Sequence, residues 1–440
     1  MTFPPKRILL VLTVLAIGMS FYFFGLLLPQ VHERLASEGR SGGYYFGNDL
    51  YPIWLTTGEL LAHRTTNPYS TSMEHQIETG LYGRPLDRTV HADAVVNYRG
   101  FSYPLYTNVL AIPFSFISFR AVQIILFIVF PILIVLSVRW WAAGIGIALS
   151  PILFAIASLL SLFSIQALEG WWALQPTMIV GALLALTLAA LRRNSLILAG
   201  AALALGSVKP QLILLPSLWL TLWTFSNWKT RKRVLLAVVV TTIILLALSE
   251  LWMPRWWLNW WHQLPSYRQF DTPPLVELLF GKRIGGVLGL AALCLAGIAA
   301  FRWRRLPADS SSFSLLFAFL LAVGVVFISS SIAVYDQFLL VSGVLILCRD
   351  RGSASSSRTL RFAILILSIA FCWPWVVAPL VYLAHLIAPS VVSQQITLLP
   401  LMTAASFPLL LLIALSLLVL SQLRATEPHR DPTPLVNAHS

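Results

Sequence analysis

The stretch RRNSLILAGAALALGSVKPQLILLPSLWLTLWTFSNWKTRKR, residues 192–233, decides how this chain is built. It opens on Arg192-Arg193, closes on the basic run from Lys229 to Arg233, and is almost wholly apolar between them. Basic clusters beside apolar runs mark the cytoplasmic side of a membrane protein. Two flanks on one side require an even number of crossings, so the stretch predicts two short helices or a hairpin. Lys209-Pro210-Gln211 interrupts it midway. The pattern therefore puts Lys209 near the opposite, external end, where Pro210 frees a backbone turn.

The composition agrees. Of 440 residues 58% are hydrophobic and 11% charged, with a mean hydropathy of +0.80; a soluble domain carries about 25% charged residues. The apolar runs are helix-length rather than short and alternating, which excludes an outer-membrane barrel. A net charge of +13 raises nucleic acid as a partner, but the basic residues sit in short clusters between apolar runs, the positive-inside pattern, so no nucleic-acid binding is expected. Cys294, Cys348 and Cys372 fall in or beside spans with no close pairing and read as small hydrophobes.

The expected class is all-α: a polytopic transmembrane bundle of about twelve membrane helices, forming one domain over residues 1–424. Lys6-Arg7 and the apolar run Ile8 to Leu28 form a retained first span, too long for a signal-peptide core. Further spans are expected near 121–138, 142–166, 173–191, 234–251, 284–300, 313–332, 335–348, 361–383 and 400–421. Segment 104–119, broken by Pro113, is either re-entrant or a short span. A short polar cytoplasmic tail, residues 425–440, follows. Both termini come out cytoplasmic.

The first external loop, residues 30–103, holds eight of the seventeen acids. Within it Leu50, Ile53, Trp54 and Leu61 recur as on a helix lying in the interface. A second such helix is expected where Trp256-Trp257 and Trp260-Trp261 repeat four residues apart. This topology gathers Asp49, Asn67, Tyr69, His91, Asp93, Tyr103, Glu169, Gln175, Lys209, His262, Asp271, Tyr335 and Asp336 on the external face. Asp49 is either the N-cap of the interfacial helix or a general base, and the two roles are compatible. Lys209 either snorkels or neutralises a phosphate, with Gln211 adding a donor. Asp336 is read equally well as an acidic helix cap, and His91 and Asp93 as solvent-facing side chains of a loop rich in polar residues. No His, Asp or Glu set has metal-ligand spacing, and no glycine loop cradles a phosphate; no metal or cofactor is expected.

Asp49-Leu50-Tyr51, Gly58, Asn67-Pro68-Tyr69, Phe101-Ser102-Tyr103-Pro104, the loop from Gly170 to Gln175, Lys209-Pro210 and the basic run after it resemble, in that order, a known family. They are similar to membrane glycosyltransferases of the C superfamily (GT-C), and among them to the polyprenol-phosphate-mannose-dependent alpha-mannosyltransferases of glycosyltransferase family 87. The likeness covers residues 20–235, and beyond them the helix count and Tyr335-Asp336. The family often has Gly-Gln adjacent, whereas Gly170 here precedes Trp171-Trp172 and Gln175; Leu105 stands where a second Pro is common. The resemblance implies inverting, metal-independent transfer of a hexose from a polyprenyl-phosphate sugar donor to a glycolipid or glycan acceptor. It places the site on the external face of the bacterial inner membrane. Asp49 would be the base and Lys209 the phosphate partner, with Tyr51, Asn67, Tyr69, His91, Tyr103, Gln175, Gln211, Tyr335 and Asp336 around the substrates. The competing readings are an O-antigen ligase or polymerase, which should carry its large external loop late in the chain, and a secondary transporter, which should show paired inverted repeats.

Overall fold

A computed structural model describes residues 5–40, 43–90, 93, 100–270, 272–331, 333–350 and 358–425. The described residues are overwhelmingly helical. In chain order the helices are α1 (Pro5–Tyr22), α2 (Leu28–Ser37), α3 (Tyr51–Leu61), α4 (Thr71–Tyr82), α5 (Tyr106–Ser115) and α6 (Phe119–Ile145). Then come α7 (Pro151–Leu162), α8 (Ile165–Trp172), α9 (Thr177–Arg192), α10 (Leu196–Leu205), α11 (Pro210–Ser226), α12 (Trp228–Trp252) and α13 (Trp256–Phe270). The last are α14 (Leu275–Trp303), α15 (Ser311–Phe327), α16 (Val341–Arg349), α17 (Arg358–Ile387), α18 (Gln394–Ala404) and α19 (Ser406–Ala425).

Among the described residues six helical segments are long and apolar enough to cross a membrane: Arg7–Ser37, Phe119–Ile145, Trp228–Trp252, Leu275–Trp303, Arg358–Ile387 and Gln394–Ala425. The pair α7 and α8, bent by 60°, makes a seventh if counted as one span. The sequence expectation of about twelve crossings is thus met only in part, because several apolar runs form helices shorter than a span. Along α1, α12, α14 and α17 the outward side chains are Leu, Ile, Val and Phe. Such a belt belongs in lipid rather than water.

The innermost helix is α15, buried continuously from Phe313 to Val326. A helix apolar all round has to be surrounded, and here α11, α14, α16 and α19 surround it. This core helix has 17 residues, and α9 has 16. At 1.5 Å per residue they reach about 24–26 Å, less than the roughly 30 Å hydrocarbon layer. Longer helices of 25 to 32 residues flank them. At one end of these short helices Thr177, the first residue of α9, and Ser329, just after α15, meet on Asp336.

The opening stretch folds as its charges require. Helix α10 runs to a 3-10 turn, Gly206–Val208; Lys209 breaks the helix (φ −118°, ψ 83°), and α11 returns. Lys209 bonds the first residue of α9, Thr177, whereas Arg192 ends that helix. Arg231 lies with the C-terminal end of α11 and bonds the segment after α14. Lys209 therefore stands at the end opposite both basic flanks.

Three expectations are corrected locally. The break expected between 138 and 142 does not occur: α6 runs through Arg139 to Ile145 and stops at Gly146. There a left-handed backbone (φ 85°) lets Gly146 and Ile147 donate back to the Ala142 carbonyl, a glycine C-cap. Segment 104–119 contributes α5, ten residues and so about 15 Å long, too short to span. It packs on α3, where Asn108 donates to Thr56 and Thr57. And α3 buries Ile53 and Leu60 in a protein core, so packing covers a face expected to lie in the interface. The tryptophan-rich segment is helical as expected, with Trp256 buried, Trp260 donating to Ser102, and Trp257 and Trp261 exposed.

Candidate active site

Four segments with little regular structure meet at the Lys209 end: the turn before α3, the turn between α8 and α9, the break at Lys209 and the segment that follows α15. The first two are stitched together through the backbone. Gly47 N–H donates to the Trp172 carbonyl (2.9 Å) and Asp49 N–H to the Ala173 carbonyl (3.2 Å). The Gln123 amide holds the Phe46 carbonyl from α6. This fixes Asp49 beside Gln175, whose Nε2 donates to Asp49 Oδ2 at 2.6 Å. Gln175 is itself buried, and its Oε1 accepts from the Tyr103 hydroxyl (3.2 Å). The Tyr69 hydroxyl in turn donates to the Tyr103 carbonyl (3.0 Å). Asp49 is not the cap residue of α3: Leu50 occupies that position.

The second group is built around Lys209, which is buried. Its Nζ donates to Thr177 Oγ1 (2.7 Å) and Asp336 Oδ1 (3.0 Å) and lies 4.7 Å from the Tyr335 ring centre. Thr177 donates to Asp336 Oδ1 (2.6 Å) and Ser329 to Asp336 Oδ2 (3.0 Å). Both Asp336 oxygens are thus engaged, as a buried charge demands. Asp336 sits inside the 3-10 helix Val334–Leu340; it is a partner to a cation, beyond the helix cap it could have been. Snorkelling does not describe Lys209, whose ammonium is held inside the protein.

Between the two groups stands Glu169 on α8, outside the six long helices. Its helix approaches the 334–340 segment closely at Gly170, where a Cβ would lie 3.1 Å from Tyr335 Cβ. Glu169 Oε2 is buried and has no hydrogen-bond partner. Burial, then the carboxylates of Asp49 and Asp336, push its carboxyl up to about 8. The sequence put Glu169 on this face without a role, and it gave no signal at all for Thr177 or Ser329.

The remaining candidates divide. Tyr51 is buried, its ring against Tyr44 and Phe119 and its hydroxyl close to Gly80, which raises its ionisation to about 12. It also lines a cleft of about 780 Å³ with Thr71, His75 and Gln76 from α4. Asn67 Oδ1 accepts from Tyr69 N–H, closing the turn that presents Tyr69. Gln211 is half-buried on the first turn of α11. Asp93 is taken up by Arg84, through a two-pronged pair of 2.6 and 2.9 Å, and by Asp87 N–H. His262 is exposed. His91 and Asp271 lie outside the described residues. No group of three His, Cys, Asp or Glu placed to hold a metal occurs among the described residues.

Chemically, the fold brings an amide-oriented carboxylate, a buried ammonium and a carboxyl with a buried, unbonded oxygen together at one end of an apolar bundle. A carboxylate near a hydroxyl acceptor can act as base, and an ammonium balances an anionic leaving group. No curated protein and no solved structure matches the chain. The model of glycosyltransferase family 87 does, over residues 101–331. That span includes Tyr103, Glu169, Gln175 and Lys209; Asp49 precedes it and Tyr335-Asp336 follows it. The match starts later and ends later than the likeness at residues 20–235. It covers more than half of an all-helical, lipid-facing chain, and the chain belongs to glycosyltransferase family 87.

Proposed function

We propose that this membrane glycosyltransferase moves a hexose, mannose foremost, from a polyprenyl-phosphate sugar to a glycolipid or glycan acceptor. The reaction runs at the external face of the bacterial inner membrane, with both termini cytoplasmic. The observation that carries the reading is the Asp49–Gln175–Tyr103 chain beside the buried Lys209–Asp336 pair. Gln175 directs one lone pair of the Asp49 carboxylate and leaves the carboxylate able to take a proton from the acceptor hydroxyl. The acceptor oxygen then attacks the anomeric carbon from the side opposite the phosphate, which inverts the centre. As the glycosidic C–O bond breaks, its electron pair passes to the phosphate. Lys209, drawn partly from Asp336, balances that charge inside a site shielded from water. Tyr51, Tyr69, Tyr103, Gln211 and Tyr335 supply walls and donors for the sugar and phosphate.

The test uses purified protein in nanodiscs with radiolabelled polyprenyl-phosphate-mannose and a glycolipid acceptor. Asp49→Asn is expected to abolish transfer while donor binding survives, and Lys209→Ala to weaken donor binding. Undiminished transfer by Asp49→Asn would remove the base assignment. A wild type that ignores this donor with every acceptor would remove the donor assignment.

A further inference from the structure

Glu169 remains unexplained by the reaction as written. A carboxyl oxygen buried without a partner is costly in an ionised state and much less so in the neutral acid. Asp49, from the turn before α3, and Asp336, from the 334–340 helix, act on it, and Asp336 is itself paired with Lys209. Of the elements packed on α8, α9 carries Thr177, which does not titrate and bonds Asp336, α6 carries Phe127, stacked on Trp171, and α2 carries His32, its ring 5.9 Å from that of Trp172. Two carboxylates therefore stand near Glu169.

We infer that Glu169 is a neutral acid whose Oε2–H donates to the leaving phosphate oxygen, making it a further catalytic residue of this site. This rests on the donor reading above. An ionised Glu169 would repel the phosphate it faces, and a neutral one offers the donor that a phosphate lacks once Lys209 is shared with Asp336. The step balances without moving a proton from Glu169. The acceptor O–H breaks and its proton goes to Asp49; the acceptor oxygen bonds the anomeric carbon. The anomeric C–O bond to phosphate breaks with its electron pair on the phosphate oxygen. The Glu169 hydrogen bond shortens onto that oxygen as its charge grows. Raised pH should then switch the enzyme off as Glu169 ionises. The position of its carboxyl, near 8, puts that limb within reach.

The experiment measures transfer from polyprenyl-phosphate-mannose between pH 6 and pH 9.5 (roughly the range around the perturbed acid) for wild type, Glu169→Ala and Glu169→Gln. Infrared spectra in nanodiscs follow the carbonyl band of a neutral carboxylic acid over the same range. Glu169→Ala should lose about 100-fold in kcat. Glu169→Gln, whose amide still donates, should recover most of that loss and no longer fall off at high pH. The infrared band should be present in wild type near neutrality, vanish as pH rises, and be absent from Glu169→Gln. A wild type without the band, or a Gln variant that keeps the alkaline limb, overturns the proposal while leaving the donor reading standing. If wild type turns over no polyprenyl-phosphate sugar, the donor reading fails and the phosphate contact fails with it. The band then still separates a neutral Glu169 from an ionised one.

Discussion

The two ends of the bundle use charge differently. At the end carrying the basic flanks, arginines mostly bind backbone. Arg231 donates to the carbonyls of Trp223, Arg304, Arg305 and Leu306 and lies 4.0 Å from the Trp223 ring centre. Arg192 donates to the Asp309 carbonyl and Arg349 to that of Ile145, while Arg349 also pairs with Asp350 and Ser314. The Trp223 and Ile145 carbonyls are at helix C-termini, where the last carbonyls lack helical partners. At the Lys209 end, the polar groups bind one another's side chains: Gln175 to Asp49, Lys209 to Thr177 and Asp336. A guanidinium held by carbonyls is fixed in place; a side-chain network can exchange partners when a substrate arrives. The proposed function draws on that difference.

The comparison breaks most sharply at Asp49. Asp49→Asn should lower kcat by about 10²- to 10⁴-fold with little change in thermal unfolding, read by transfer and melting in nanodiscs. Lys209→Ala should act on both readouts, since it strands a buried Asp336; melting and denaturant titration should show a loss of about 3–5 kcal/mol. A fully stable Lys209→Ala protein would mean that the pair is not buried as described. At the opposite end, Arg231→Ala should cost about 2–3 kcal/mol through its lost charged hydrogen bonds. Its kcat, measured below the melting range, should stay that of wild type. A large fall in kcat there would erase the contrast between the ends. Gln175→Ala should cost about 10-fold in kcat by releasing Asp49, with KM less affected. The smallest effect concerns the first loop. Arg84 holds the Asp93 carboxyl below its ordinary value. The stability this adds is present above the unfolded carboxylate's ordinary value and is lost as pH falls through the lowered one. Limited proteolysis of the loop against pH should show it, and Asp93→Asn should remove that acid step.

Lys209-Pro210 shows how far pattern reading goes. Two basic flanks and one interrupting lysine were enough to place the break, and the side of the bundle on which it lies. The same reasoning missed the length of α6, because Arg139 and the tryptophans after it look like a boundary. The chain continues there to Gly146, the residue able to take the left-handed cap. The family likeness was legible in ordered short motifs, although the matched span lies over residues 101–331. Asp49, Tyr103, Gln175, Lys209 and Asp336 were all singled out by residue type, and the fold brings Gln175 to Asp49 and Tyr103, and Lys209 to Asp336. Their partners were not. Thr177 and Ser329 are ordinary hydroxyls in apolar runs, and Glu169 drew no role from its spacing.

The sequence by itself determined that the chain is helical and apolar enough for a membrane, where its basic ends lie, and where its apolar runs must break. Those properties follow from local composition and from charge at helix ends, which act over a few residues. Only the tertiary structure decided which polar groups meet. Asp49 and Gln175 are 126 residues apart, and Lys209 and Asp336 are 127 apart. Nothing local couples such positions. Packing of separate helices joins them, and a buried charge stays charged only where a distant partner has been folded against it.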